Sequence, residues 1–512
     1  MFMRVAATVI CFFFFATVQA QVENTATPVD NPVAKKYGQT ITAEKLSKQL
    51  HIIAGPGMEG RETTTAGQER AAAYIVDQFA AAGLKPGANG QWQQYYPLYS
   101  DSLVNSSITV RNQTFLYGQD FLSDLRAGEN QDINISQIIY ADQGIVTGEY
   151  NDYHNLDVKG QVVMIREMVK RGAYRDKGNL DERIAAAKAR GALAVLVISP
   201  SAGRYRSLNQ QRIRMTGLYS QKDTTAHPNV YFITPTLAAA IIGIDSNDRL
   251  PEEIDKGLKI PSLIKTPVRI VFDKAATIFH PSNVLAYLEG TDKKEELVFV
   301  TAHYDHLGKQ GDEIFYGADD DGSGTCAVLE IAAAFARAKQ AGHGPRRSMV
   351  FMTVSGEEKG LLGSQYYTEH PIYPLQQTVT DLNIDMIGRI DPAHEKDTNY
   401  LYIIGDNKLS SALRPINERA NDTYTRLKLD YKYNDPDDPE GFYYRSDHYM
   451  FARHGIPIIF YFNGTHADYH APTDTVDKIN YDLLAKRAQL VFYTAWEIAN
   501  REHRLVVDRH ER

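Results

Sequence analysis

The sequence predicts an α/β protein: a sheet sandwiched between helices, with a second, smaller α/β unit inserted into it. Apolar runs of strand length, Leu297 to Ala302, Ser348 to Val354 and Thr380 to Ile384, alternate with helical patterns such as Cys326 to Lys339 and Tyr481 to Asn500. Each of those three runs stops at a side chain able to bind a metal: His303, the pair Glu357 and Glu358, and Asp385. Further upstream, Val158 to Arg166, Leu180 to Ala189 and Ala192 to Ile198 repeat a strand, helix, strand pattern on a smaller scale. A chain of 512 residues exceeds one comfortable core and calls for two domains or so.

Residues 1–20 read as a signal peptide, with Arg4 before the apolar run Val5 to Val18 and a small-residue cleavage pattern at Val-Gln-Ala. That run is too short to span a bilayer and no later one is long enough, so the mature chain is expected to be exported, to a periplasm or outside the cell, without stable membrane insertion. Cys11 lies inside the run rather than at its end and does not read as a lipid attachment site. Cys326 then reads as a small core residue with no intrachain disulfide partner. The sequons at Asn105 and Asn463 matter only in a glycosylating host.

Residues 31–131 carry helical patterns at Thr42 to Leu50 and Ala66 to Ala82, the second ended by Gly83, and 132–273 carry the smaller βαβ unit. There Arg204, Arg206, Arg212 and Arg214 read as a solvated loop in preference to a substrate lid. Residues 274–512 continue with strands at Tyr400 to Ile404 and Ile456 to Phe462, and with the closing helix Tyr481 to Asn500. Pro436 to Gly441 reads as an acidic surface turn, followed by Tyr443-Tyr444-Arg445-Ser446-Asp447-His448, whose aromatics could wall a pocket. The terminal REHRLVVDRHER reads as a solvated tail.

Hydrophobic residues at 43% and charged residues at 23% are ordinary for a soluble domain, and a net charge of −8 leaves no basic footprint for nucleic acid. The 31 tyrosines assign no function by themselves. GADDDGSG lacks the Gly-Lys-Ser/Thr ending of a phosphate loop. Adjacent Glu357 and Glu358 are poorly placed to face each other across a sugar.

The chemistry lies in five ordered donors: His303 in HYDHLG, Asp320 in GADDDGSG, Glu358 in SGEEKG, Asp385 in NIDMIGR and His470 in DYHAPTDT. Two imidazoles and three carboxylates without a thiolate suit zinc, with cobalt or manganese as substitutes. Two close metals need a bridging ligand, and Asp320 in a Gly-rich turn can offer one oxygen to each. Glu357, the carboxylate left over, is then placed to act as general base. Singly, each motif also fits an ordinary turn or cap. Asp319 to Asp321 could be an exposed acidic loop or could favour the N-terminus of the helix that follows. His306, three residues after His303, could compete as a ligand.

Together these motifs resemble the co-catalytic two-zinc exopeptidases that include secreted leucyl-type aminopeptidases, aminopeptidase Y and the glutamate carboxypeptidases. The resemblance implies a mixed-sheet zinc exopeptidase domain with helices on both faces. It pairs His303 with Asp385 on one metal and Glu358 with His470 on the other, with Asp320 bridging. It selects His303 over His306 and leaves Asp319 and Asp321 as turn residues. It also implies Glu357 as general base, Asp305 as the carboxylate that orients His303, and Tyr469 as a hydroxyl that helps stabilise the tetrahedral intermediate. MEGRETTTAGQERAAAYIVDQFAAAGLKP is similar to the family's opening element, and DVKGQVVMIREM with IAAAKARGALAVLVIS resembles a protease-associated domain. The function expected is an exported metallo-aminopeptidase acting on peptides. A carboxypeptidase or dipeptidase is the nearest alternative, because the ligands do not say which peptide end docks. A glutaminyl cyclase or a receptor-like binding protein fits less well with a full set of five donors.

Overall fold

The computed structural model describes residues 30–148, 150–167, 179–203, 212–222, 228–245 and 249–510. The leader expected at 1–20, with Cys11, and the loop arginines Arg204 and Arg206 lie outside them.

Among the described residues the chain forms two large mixed sheets. The nine-stranded one runs in the order Lys85–Pro86, Ser282–Leu288, Arg347–Val354, Lys293–His303, Thr378–Ile384, Ile458–Phe462, Tyr400–Ile404 and Lys428–Asp430, with Gln93–Tyr95 also on Ser282–Leu288. Its centre is parallel: Lys293–His303 lies between Arg347–Val354 and Thr378–Ile384, and Ile458–Phe462 follows in the same direction. Alternation along these strands loads both faces. Val298, Val300 and Ala302 pack with Leu50, Phe79, Phe335 and Leu484 of the helices on one side, while Leu297 and Phe299 pack with Tyr367 and Phe451 on the other. This is the helix, sheet, helix sandwich expected from the alternating pattern.

The helices start where the sequence supplies caps. Thr42 accepts from Lys45 N at the head of Ala43–Ile53, Thr65 from Gln68 N at Ala66–Ala81, and Asn480 from Leu483 N at Tyr481–Asn500. In Leu180–Ala189, Asn179 and Glu182 close a reciprocal capping box.

The second sheet has eight strands between Leu98 and Phe279. Val162–Arg166, Ala194–Ile198 and Asn229–Ile233 are parallel neighbours, with Leu180–Ala189 on one face and Pro235–Ile242 on the other. Three of its strands, Leu98–Val110, Gln113–Leu116 and Phe121–Ser123, precede residue 132. Leu98–Val110 and Leu263–Phe279 form a long antiparallel ladder whose ends, Leu98 and Phe279, lead back toward the first sheet.

The terminal segment is exposed at most of its described positions, as expected of a solvated tail, and is anchored at a few points: Leu505 is buried, Arg504 donates to Thr378 O (2.7 Å) and Asp508 accepts from Ser411 N (2.8 Å). Asp319, Asp320 and Asp321 are all buried rather than an exposed acidic loop, because backbone and side-chain donors converge on them.

Candidate metal centre and catalytic cleft

The parallel strands carry the site at their carboxyl ends. His303 is the last residue of its strand, Glu357 and Glu358 follow the neighbour ending at Val354, and Asp385 follows the other neighbour ending at Ile384. These three strands are adjacent, so their ends converge. Asp320 comes from the turn Ala318–Ser323 that feeds the helix Gly324–Gln340, and His470 comes from the turn beyond Ile458–Phe462 at φ +55°.

All five donors and Glu357 meet in one cluster. His303 Nε2 lies 3.2 Å from Asp320 Oδ1, 3.5 Å from Asp385 Oδ1 and 3.9 Å from Glu357 Oε2. His470 Nε2 lies 3.1 Å from Asp320 Oδ2 and 3.2 Å from Glu358 Oε2. The two oxygens of Asp320 are thus divided, one toward His303 and Asp385, the other toward His470 and Glu358. His306, expected outside the ligand set, stands close as well: its Nδ1 is 2.9 Å from Glu358 Oε1 and 3.9 Å from Asp320 Oδ2. By proximity two groups could each hold an ion, His303 with Glu357 and Asp385, and His306 with Asp320 and Glu358.

Asp305 differs from expectation. His303 Nδ1 donates to the backbone carbonyl of Asp305 (3.1 Å), whereas the Asp305 carboxylate is 3.8 Å away and accepts instead from Thr63 Oγ1 (2.6 Å) and Glu357 N (3.3 Å). A backbone carbonyl fixes the tautomer as well as a carboxylate does, leaving the Nε2 lone pair toward Asp320 and Asp385. Tyr469 is half-buried and stacks on His470 with ring centroids 3.9 Å apart.

Charge and burial set the proton affinities. Desolvation works to lower His470, but hydrogen bonds and charge from Asp320 and Glu358 overcome it and push the imidazole up to about 10. His303, fully buried, is likewise driven upward against desolvation by Glu357 and Asp385. Burial raises the Glu357 carboxyl well above the usual range, with His303 opposing and Glu358 and Asp385 adding. Asp320 goes the other way: its hydrogen bonds to His303 and His470 outweigh desolvation. The cluster holds more carboxylate charge than its imidazoles can balance, which is the electrostatic character of a cation site.

Several supporting residues were not legible in the motifs. Arg61, fully buried, donates from Nε to Tyr304 O (2.8 Å), from Nη1 to Ile53 O (3.0 Å) and Tyr316 O (2.7 Å), and from Nη2 to Gly317 O (2.9 Å), binding the loops that carry His306 and Asp320. Asp321 accepts from His303 N (3.2 Å), Gly324 N (2.9 Å) and Met386 N (3.0 Å), tying together the segments that carry His303, Asp320 and Asp385. Asp474, four residues after His470, accepts from Asp319 N (2.9 Å) and Asp320 N (3.2 Å) and so joins the His470 turn to the Asp320 turn. Burial raises Asp447 to about 7, against the opposing influence of His303 and Ser364. The spacing of Asp474 from His470 was a usable signal; Arg61 lies too far away in sequence to offer one.

Comparisons with known proteins agree with this architecture. Residues 283–495 match the model of Peptidase family M28. A probable leucine aminopeptidase of Arthroderma otae is 33% identical over 213 residues, covering 40% of this chain and 55% of that protein. A probable glutamate carboxypeptidase of Zea mays is 26% identical over 368 residues, covering 65% of this chain and 48% of that one. The chain spans about half the length of these curated relatives. Among solved structures, an aminopeptidase from Aneurinibacillus sp. strain AM-1 aligns with a TM-score of 0.50 at 18% identity over 94% of this chain and 100% of that one, a likeness of fold.

Proposed function

We propose, from the match of residues 283–495 to the model of Peptidase family M28, that the chain is a member of that family and an exported aminopeptidase that releases the N-terminal residue of peptides at a two-zinc centre. The observation that carries this reading is the division of the Asp320 oxygens, 3.2 Å from His303 on one side and 3.1 Å from His470 on the other. His303 and Asp385 would complete one ion, Glu358 and His470 the other. The donor set fits zinc, and cobalt or manganese could replace it. His303 Nε2 and Glu358 Oε1 are buried and have other donors of the same cluster as their polar neighbours, Asp320 Oδ1 at 3.2 Å and His306 Nδ1 at 2.9 Å, the crowding of lone pairs that a cation would relieve.

When bound, such a pair of ions supplies Lewis-acid polarisation of the scissile carbonyl and acidifies the attacking water. Glu357 accepts that water's proton and passes it to the leaving amine as the C–N bond breaks; its raised proton affinity suits a group that must both take and give. The Tyr469 hydroxyl, held protonated chiefly by burial and beside His470, donates toward the developing oxyanion. The βαβ unit within 132–273 we read as a protease-associated insert, and residues 1–20 as the export signal.

A panel of aminoacyl chromogenic amides with free and with acetylated amines, run beside C-terminally blocked peptides, tests the assignment. Turnover restricted to free-amine substrates is expected. Efficient release of C-terminal residues from N-acetylated peptides would move the enzyme to the carboxypeptidases.

A further inference from the structure

Among the described residues that line the cleft beside the candidate metal centre, one side chain carries permanent positive charge. Asp320, Glu357 and Asp385 form its floor, Phe442, Phe460 and Phe462 contribute an apolar wall, and Arg445 lines it as well. Arg445 belongs to the segment read from the sequence only as a possible pocket wall. Its side chain is exposed, and its guanidinium carbon sits 4.5 Å from the centroid of the Phe442 ring. Stacking of this kind restrains the planar group while leaving its N–H edge able to form paired hydrogen bonds.

Arg445 carries its charge in the cleft without a carboxylate partner among the described residues. Arg414, Arg389 and Arg347 of the same domain are matched with Asp406, Asp468 and Glu296 at 2.8, 2.8 and 2.6 Å, while Arg453 and Arg504 form no ion pair among the described residues either but do not line the cleft. Among the described residues no carboxylate forms an ion pair with Arg445, although the chain carries 63 acidic residues against 55 basic ones. In a cleft whose floor is carboxylate, an unmatched guanidinium over an aromatic face is a receptor for an anion that arrives with the ligand, and a carboxylate matches its two-pronged edge.

We propose that Arg445 selects substrates that place a carboxylate in this cleft beside the scissile bond. This rests on the aminopeptidase reading above and narrows its substrate class. Two sources present the same group: the acidic side chain of an N-terminal Glu or Asp, and the free C-terminal carboxylate of a dipeptide. Apolar parts of the substrate lie against the phenylalanines, and the carboxylate reaches the guanidinium.

The test uses the full mature chain loaded with zinc and four free-amine substrates: Glu-p-nitroanilide, Leu-p-nitroanilide, Leu-Gly and Leu-Gly-amide. At least one carboxylate-bearing member is expected to have a kcat/KM roughly 10-fold or more above its neutral counterpart. Arg445→Gln is expected to remove that advantage through KM, with a change of about 10–100-fold on the carboxylate substrate, several-fold less on the neutral ones and little change in kcat. Arg445→Lys should restore part of it, and Arg445→Glu should shift the preference toward Lys-p-nitroanilide. A loss confined to Glu-p-nitroanilide identifies the side chain as the source; one confined to Leu-Gly identifies the C-terminus. Equal losses on all four substrates, or no preference in the unmodified protein, would overturn the proposal. Calorimetric binding of glutamate against leucinamide, repeated with Arg445→Gln, judges Arg445 separately from turnover. Glutamate binding that depends on Arg445 in a protein inert toward every free-amine substrate would count against the aminopeptidase reading alone, and glutamate binding indifferent to the substitution would count against this one.

Discussion

Glu357→Gln is expected to lower turnover of a free-amine substrate by roughly 10²–10⁴-fold while the protein keeps its full metal content. The amide preserves shape and removes the proton acceptor, and Glu357 N still donates to Asp305, so the turn stays in place. Glu358→Ala should behave differently although the two residues are adjacent and chemically identical. Glu358 faces His470 and His306 at 3.2 and 2.9 Å, so its loss takes a donor from the cluster, and activity and metal should fall together. Parallel kinetics and elemental analysis separate the two. Metal lost from Glu357→Gln but kept by Glu358→Ala would reverse the roles, and two active variants would remove this motif from the chemistry.

The second large effect lies away from the chemistry. Arg61→Ala should destabilise the protein by on the order of 4 kcal/mol, because one fully buried guanidinium serves four backbone carbonyls. Arg61→Lys keeps the charge but not the planar fork, and should fall between the two. Urea unfolding followed by circular dichroism measures the difference. Because Tyr304, Tyr316 and Gly317 flank His306 and Asp320, weakened metal binding should accompany the loss of stability. A change below about 1 kcal/mol for Arg61→Ala would mean that water replaces the guanidinium without cost.

How much of this was legible varies with the physics. The ends of the central strands could be read because those strands are buried on both faces and appear as unbroken apolar runs, with His303, Glu357 and Asp385 standing out where the runs stop. The strands Leu98–Val110 and Leu263–Phe279 were missed. The first is broken by Asp101, Asn105 and serines, the second contains Pro267 and alternates buried with exposed positions, and both are stabilised by pairing partners more than 150 residues away. Within the site, donors that touch a metal advertise themselves by residue type. The residues that hold them do so through backbone contacts, as Asp321, Asp474 and Arg61 do, and a sequence records no such contact. Asp305 illustrates the limit: its position beside His303 was read correctly, but its carbonyl, not its carboxylate, meets the imidazole.

The central claim is that Asp320 joins two ions, and metal stoichiometry on the active protein tests it most directly. Apo protein titrated with zinc, with activity and bound metal followed together, should reach full activity at about two equivalents per chain, and Asp320→Ala should lose both. Full activity at a single equivalent, or an Asp320→Ala variant that still binds two, would contradict the account.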